Sequence, residues 1–261
     1  MQLHFEQSGE GHPFLILHGL FGSLENWRTL SKLFSRSFQV FALDQRNHGR
    51  SPHSTAFTYP DMAEDLREFM EKQGLSSAHV LGHSMGGKTA MLFAPTYPDL
   101  VDKLIIVDIA PKAYARGHDD IFAALFSLNL TSIKTRQEAD TALAEKVPDL
   151  ALRQFLLKNL ERNESGTFRW RIGLDEIHQG YPEMIKALEW NGQPFSQPTL
   201  FIRGAHSDYI KDKDIAAIKT LFPLARFVTI PNAGHWVHAE APQEFARLVL
   251  DFLIKEDAMT G

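Results

Sequence analysis

The sequence predicts an α/β fold, a mostly parallel central sheet flanked by helices and interrupted by a helical insertion. Three observations predict it. Short apolar runs alternate with segments of helical spacing, the order that builds parallel strands with helices on both faces. Pro13–Leu17, Phe38–Leu43 and Leu104–Val107 are apolar nearly throughout, as strands buried on both sides are. From Lys112 to about Gly192 the strand signals stop and only helical ones continue.

The elements follow in order. Leu3–Gln7 is a candidate first strand, turned by Gly9-Glu10-Gly11, and Pro13–Leu17 is the second. A helix from Leu24 to Ser35 follows, with Ser23 as its cap and Trp27, Leu30, Leu33 and Phe34 facing inward. Phe38–Leu43 is the next strand. Between Pro60 and Gln73, Met62, Leu66, Phe69 and Met70 recur at helical spacing until Gly74 stops them. Ala78–Leu81 and Leu104–Val107 are strands separated by the helical stretch Lys88–Ala94. The insertion reads as helices over Asp119–Leu128, Arg136–Lys146, Leu150–Leu160 and Asp175–Glu189. The α/β order then resumes with Thr199–Ile202, a helix over Asp212–Leu221, the strand Arg226–Ile230 and a last helix over Pro242–Lys255.

Composition bounds the function. The chain has 261 residues, 44% hydrophobic and 23% charged, the profile of one large globular domain or a core with an insertion. A net charge of −5 provides no basic footprint, so nucleic acid is not an expected partner. The absence of cysteine excludes disulfides, thiolate chemistry and cysteine metal sites. The N-terminal residues lack the basic start and apolar core of a signal peptide, and no apolar run has the length of a membrane span. The expectation is a cytoplasmic protein, monomer or homodimer, without membrane insertion.

Gly82-His83-Ser84-Met85-Gly86 is a G-x-S-x-G motif between a strand and a helix, the setting of a nucleophile elbow. The turn must be sharp and its neighbours small, so that the serine hydroxyl stands clear of the sheet. Ser84 is therefore the candidate nucleophile, and Met85 N–H, directly after it, one donor of an oxyanion hole. A serine hydroxyl needs a base, and His235, in the loop after the last strand, is the candidate among 12 histidines. His83 lies too near Ser84 in sequence to turn its ring toward it and is expected to pack beside the insertion. His238 is read as structural. Asp108 directly ends the apolar strand Leu104–Val107. Asp44, Arg46 and His48 read as a loop held by hydrogen bonds and ion pairs. No two histidines stand at metal-ligand spacing with a carboxylate, so no metal is expected.

These motifs, in this order, resemble the α/β-hydrolase superfamily over nearly the full length. Leu17-His18-Gly19-Leu20-Phe21-Gly22-Ser23, Arg46-Asn47-His48-Gly49, the elbow through Lys88, Val107-Asp108-Ile109-Ala110-Pro111 and Gly234-His235-Trp236-Val237-His238 are similar to the small bacterial esterases of the YbfF type. The resemblance implies an α/β-hydrolase fold with a helical cap, the core spanning 1–111 and 193–261 and the cap 112–192. It implies cleavage of acyl esters and thioesters without a cofactor, Leu20 N–H as the second oxyanion donor, and His18 as a scaffold residue. It leaves two candidates for the acid behind His235. Many relatives carry it as G-x-x-D after the cap, where this chain reads Gly204-Ala205-His206-Ser207-Asp208, one residue late. The esterases resembled draw it from the aspartate matching Asp108, which is favoured, with Asp208 the alternative.

The expected partner is thus a small-molecule acyl ester or thioester such as an acyl-coenzyme A. Phe122, Leu125, Phe126, Phe155, Leu156, Phe168, Trp170 and Trp190 are expected mostly to pack, with some lining an apolar pocket. Phe122 and Trp170 are the candidates for setting acyl preference. Lys112, Arg116, His118 and Arg169 read as charged surface. Competing readings are a carbon–carbon bond hydrolase or perhydrolase on the same fold, and a ligand receptor with vestigial hydrolysis.

Overall fold

The structure is a computed structural model that describes residues 1–190 and 192–255; residues 191 and 256–261 of the expected cap and core ranges lie outside the described residues. Its first strands are β1 (Phe5–Ser8), β2 (Pro13–Leu17), β3 (Gln39–Leu43), β4 (Ala78–His83) and β5 (Val101–Val107). Helix α1 (Arg28–Phe34) lies between β2 and β3, α2 (Tyr59–Gln73) between β3 and β4, and α3 (Met85–Thr96) between β4 and β5. The helix expected from Leu24 begins instead as a 3₁₀ turn, Leu24–Trp27, before α1. Asn26 Oδ1 accepts from Ser23 N at 2.8 Å and tightens that turn. Helix α2 starts at Thr58, whose hydroxyl accepts from Asp61 N, and stops at Gly74 in the left-handed region.

The insertion holds α4 (Asp119–Phe126), α5 (Arg136–Ala144), α6 (Leu150–Leu157), β6 (Leu160–Arg162), β7 (Phe168–Trp170) and α7 (Leu174–Met184). The expectation of helices alone fails here, because β6 and β7 form an antiparallel hairpin. Its turn closes where Gly166 N donates to Asn163 O, with Gly166 at φ 79°. The final elements are β8 (Thr199–Gly204), α8 (Ile215–Leu221), β9 (Ala225–Ile230), α9 (Val237–Glu240) and α10 (Pro242–Lys255).

Seven strands make one sheet in the order β1-β3-β2-β4-β5-β8-β9, with only β1 antiparallel to its neighbour. The strand pleat divides the apolar runs between two layers. Leu15, Leu17, Val80, Leu104 and Ile106 pack with α2 and α3 on one face. Phe14, Ile16, Leu81, Ile105 and Val107 pack with α1 and α10 on the other. Such residues, each worth about 1.5–3 kcal/mol when fully buried, explain why the runs read as continuous rather than alternating. A third cluster joins Phe122, Leu156, Ile177 and Tyr181 of the insertion to Phe21, Tyr59 and Met85 of the core, seating the insertion over the carboxyl ends of the strands.

Candidate active site

Ser84 sits between β4 and α3 at φ 52°, ψ −117°, a conformation that costs a non-glycine residue roughly 1–3 kcal/mol. Its neighbours hold it there. Ser84 N donates to Val107 O at 3.0 Å, and Ser84 O accepts from Lys88 N at 3.1 Å. The two motif glycines are needed for space. A Cβ on Gly82 would lie 2.2 Å from Gly86 O, and one on Gly86 would lie 2.6 Å from the carbonyl oxygens of Leu17 and His18. The motif therefore lets α3 start directly against β4 and β2.

His235 follows β9 and directs Nε2 to Ser84 Oγ at 3.0 Å and Nδ1 to Asp108 Oδ2 at 2.7 Å. Asp108 caps β5 at φ 51° and is wholly buried. Gly204 N donates to its other oxygen at 3.3 Å. Of the two carboxylates weighed from sequence, the structure puts Asp108 on the His235 ring. Asp208 is exposed and pairs with Lys211 at 3.0 Å. The residue before it takes part instead, since Ser207 Oγ donates a short hydrogen bond to Asp108 Oδ2. Tyr209 lies flat on His235, ring centroids 4.0 Å apart and planes 19° from parallel. Neither Ser207 nor Tyr209 carried a sequence signal of its own; only the vacant acid position at 207 hinted at a contact with the histidine.

Other histidines surround the site without facing Ser84. His83 does not pack beside the insertion as expected. It is buried in the core, donating from Nε2 to His235 O at 2.9 Å with its ring against His238. Residue 83 ends β4, and its ring is surrounded by those of Trp27, His235 and His238 at one edge of the cavity. His238 stacks on Trp27 at 4.2 Å. Burial lowers His83 well below the ordinary imidazole range and His238 to about 3, so both stay neutral.

The loop after β2 carries Leu20. A turn closed by Gly22 N donating to Gly19 O at 3.0 Å makes Leu20 and Phe21 its central residues. Phe21 takes φ 59°, where a turn prefers glycine. Both of its backbone groups are tied: Phe21 N donates to His48 Nε2 at 3.2 Å, and Phe21 O accepts from Asn159 Nδ2 at 2.7 Å. His48 Nδ1 donates to Arg46 O, and burial brings His48 to about 3, leaving Nε2 free of a proton as the bond to Phe21 N requires. His18 donates to Gly19 O and accepts from Gln45 N at 3.0 Å, held neutral at about 4 by burial. Met85 opens α3, so its N–H is among those a helix leaves without an internal partner. Leu20, Ser84, Met85 and His235 all line one cavity.

The Asp44, Arg46 and His48 cluster is a brace. Asp44 accepts from Leu24 N and Arg50 N at 2.8 and 2.9 Å, and Arg46 binds Asp65 at 2.6 Å. The cavity over Ser84 measures about 520 Å³. From the insertion, Ile121, Leu152, Phe155, Tyr181, Met184 and Ile185 line it. Phe122 and Trp170 do not, correcting the expectation that they set acyl preference. Phe122 is buried edge-on to Phe21 and Tyr181, and Trp170 packs in the insertion's own cluster. Three of the charged residues are paired, Lys112 with Asp214, Arg116 with Asp119 and Arg169 with Glu161. His118 is not charged surface as expected: it bonds Tyr181 on the cavity wall, where burial lowers it below the ordinary imidazole range. Lys88, buried between Tyr59 and Tyr114, donates to Lys186 O at 2.5 Å, joining α3 to the chain after α7; burial lowers it to about 8.

Among the described residues, no helix is long and apolar enough to cross a membrane. Among the described residues, one group of potential metal ligands, His12, His79 and Asp102, comes together at the other end of the sheet from residues distant in sequence.

A model of the alpha/beta hydrolase fold family matches residues 12–242. The chain is 40% identical over 247 residues to mouse sn-1-specific diacylglycerol lipase ABHD11, covering 92% of this chain and 80% of that one. It is 36% identical to esterase YbfF of Escherichia coli, covering 92% of each. A solved marine microorganism esterase superposes with a TM-score of 0.94 at 46% identity, covering 96% of this chain and 99% of that one.

Proposed function

The chain belongs to the α/β-hydrolase family and is a hydrolase acting on esters; on that premise we propose that it cleaves small carboxylic esters through Ser84, His235 and Asp108 by way of an acyl-enzyme. The single observation that carries the reading is the His235 ring, bonded to Ser84 Oγ on one side and Asp108 on the other. Ser84 Oγ attacks the ester carbonyl as His235 Nε2 takes its proton. The carbonyl oxygen becomes an oxyanion, received by the N–H groups of Leu20 and Met85. Collapse expels the alcohol, which carries away the proton from His235. Water then gives His235 a proton, attacks the acyl group and releases the acid, restoring Ser84. Asp108 fixes the ring's tautomer and balances its charge in both halves.

The insertion, residues 112–192, acts as the cap that shapes the acyl site, a reading supported by its apolar side chains along the cavity wall. Thioesters enter the same path with a thiol leaving in place of the alcohol. A fluorophosphonate probe tests the mechanism: it should label Ser84, as peptide mapping reads, and block turnover of short p-nitrophenyl esters. An acyl-coenzyme A panel measures the thioester arm. Labelling elsewhere, or near wild-type turnover by a folded Ser84→Ala, overturns the assignment.

A further inference from the structure

The end of the sheet opposite Ser84 brings three potential metal ligands together. His12 precedes β2, His79 is the second residue of β4, and Asp102 is the second of β5; these strands are neighbours in the sheet. One ligand atom from each lies within 4.8 Å of the others. His12 Nε2 is 2.9 Å from Asp102 Oδ2, and the His12 and His79 rings are 4.4 Å apart.

The backbone supplies a second observation. Along β4 and β5, Ala78 pairs with Val101 but His79 pairs with Lys103, so Asp102 is the extra residue of a bulge. Bulges are rare between parallel strands and re-aim a side chain where they occur. This one aims a carboxylate at two imidazoles.

We propose that His12, His79 and Asp102 form a site for one divalent transition-metal ion, with zinc the fitting occupant. Two imidazole nitrogens and one carboxylate suit zinc, whereas magnesium and calcium favour oxygen sets. Zinc–ligand distances of about 2.0–2.2 Å put tetrahedral ligand atoms roughly 3.3 Å apart, so the widest pair has to close by up to about 1.5 Å while His12 and Asp102 part slightly. The movement falls to His12 and Asp102, whose side chains are 41% and 39% exposed. His79 is buried with its ring edge-on to Phe38 and serves as the fixed point. Water completes the coordination on the open side. About 16 Å of strand separates residue 79 from the elbow, so the ion pins the starts of three strands and takes no part in ester cleavage.

The test is titration of EDTA-treated, dialysed protein with zinc chloride in a calorimeter, for the wild type, His12→Ala and Asp102→Asn. The wild type should bind one equivalent, with affinity at least tenfold weaker in each variant, no binding of magnesium, and a zinc-dependent rise in Tm only in the wild type. Ester turnover should be the same with zinc or EDTA, which separates this site from the one at Ser84. Absence of saturable binding, or unchanged affinity in both variants, overturns the proposal. If neither variant folds, anomalous diffraction from zinc-soaked wild-type crystals decides: a peak among the three side chains supports the site, and no peak there rejects it.

Discussion

Ser207 Oγ and His235 Nδ1 meet on the same oxygen of Asp108. The carboxylate is thereby fixed from two sides, with Gly204 N on its second oxygen. Losing the charge should matter most. Asp108→Asn is expected to lower kcat by up to about 10⁴, the scale for the equivalent change in a serine protease. Ser207→Ala removes one hydrogen bond to a charged group, worth roughly 1.5–3 kcal/mol, and should cost about 10- to 100-fold at most. Asp208→Asn should change kcat less than twofold. Steady-state kinetics on the three folded variants checks the order; Asp208→Asn as the most damaging would return the acid to that position.

The loop that offers Leu20 N–H is held by a residue far along the chain. Asn159 binds Phe21 O at 2.7 Å and keeps Phe21 in its left-handed conformation. Asn159→Ala should strand that buried carbonyl, lowering stability by about 1–3 kcal/mol. The loop should also relax, lowering kcat by about tenfold or more while KM changes little, because the donor acts on the oxyanion rather than on bound ester. A variant with reduced Tm and unchanged kcat would show that Leu20 is positioned without Asn159.

What the sequence revealed was what local spacing encodes. The elbow was legible because Gly82, Ser84 and Gly86 answer contacts within one turn and with the strand beside it. The strands were legible because they are buried on both faces. The hairpin of β6 and β7 was not, since three-residue strands show too little alternation to outweigh the helical segments around them. Ser207, Tyr209 and Asn159 escaped notice because a hydroxyl, a ring and an amide gain their roles only from partners 99, 26 and 138 residues away in sequence. His12, His79 and Asp102 were invisible for the same reason, and the bulge that aligns them has no local signature.

The cavity wall, rather than the insertion's core, should set substrate preference. Phe155→Ala opens the pocket, so the ranking of p-nitrophenyl esters should shift toward longer acyl chains. Phe122→Ala leaves the lining intact but creates a hole beside Phe21 and Tyr181, costing about 3–5 kcal/mol of stability. Kinetics across an acyl-length series, with thermal melts alongside, separates the two. Equal shifts in ranking for both variants would place Phe122 in the pocket after all.

Stability should fall steeply in mild acid. Burial lowers His18 to about 4 and His48 and His238 to about 3 in the folded protein, against an ordinary value of 6.5. Below pH 6.5 the unfolded chain takes up these protons while the folded chain refuses them until pH 4 to 3. The stabilisation is therefore complete above 6.5 and is lost as the pH drops through that window. Each histidine contributes up to about 1.4 kcal/mol per pH unit, and the three together roughly 4 kcal/mol per unit. Urea unfolding at pH 7.5 and 5.5 should show the loss. His238→Phe, which keeps a ring against Trp27 at the position now stacked 4.2 Å away, should flatten the slope by one histidine's share. A pH dependence identical in His238→Phe and the wild type would mean that His238 is protonated in the fold, against its stacked and buried setting.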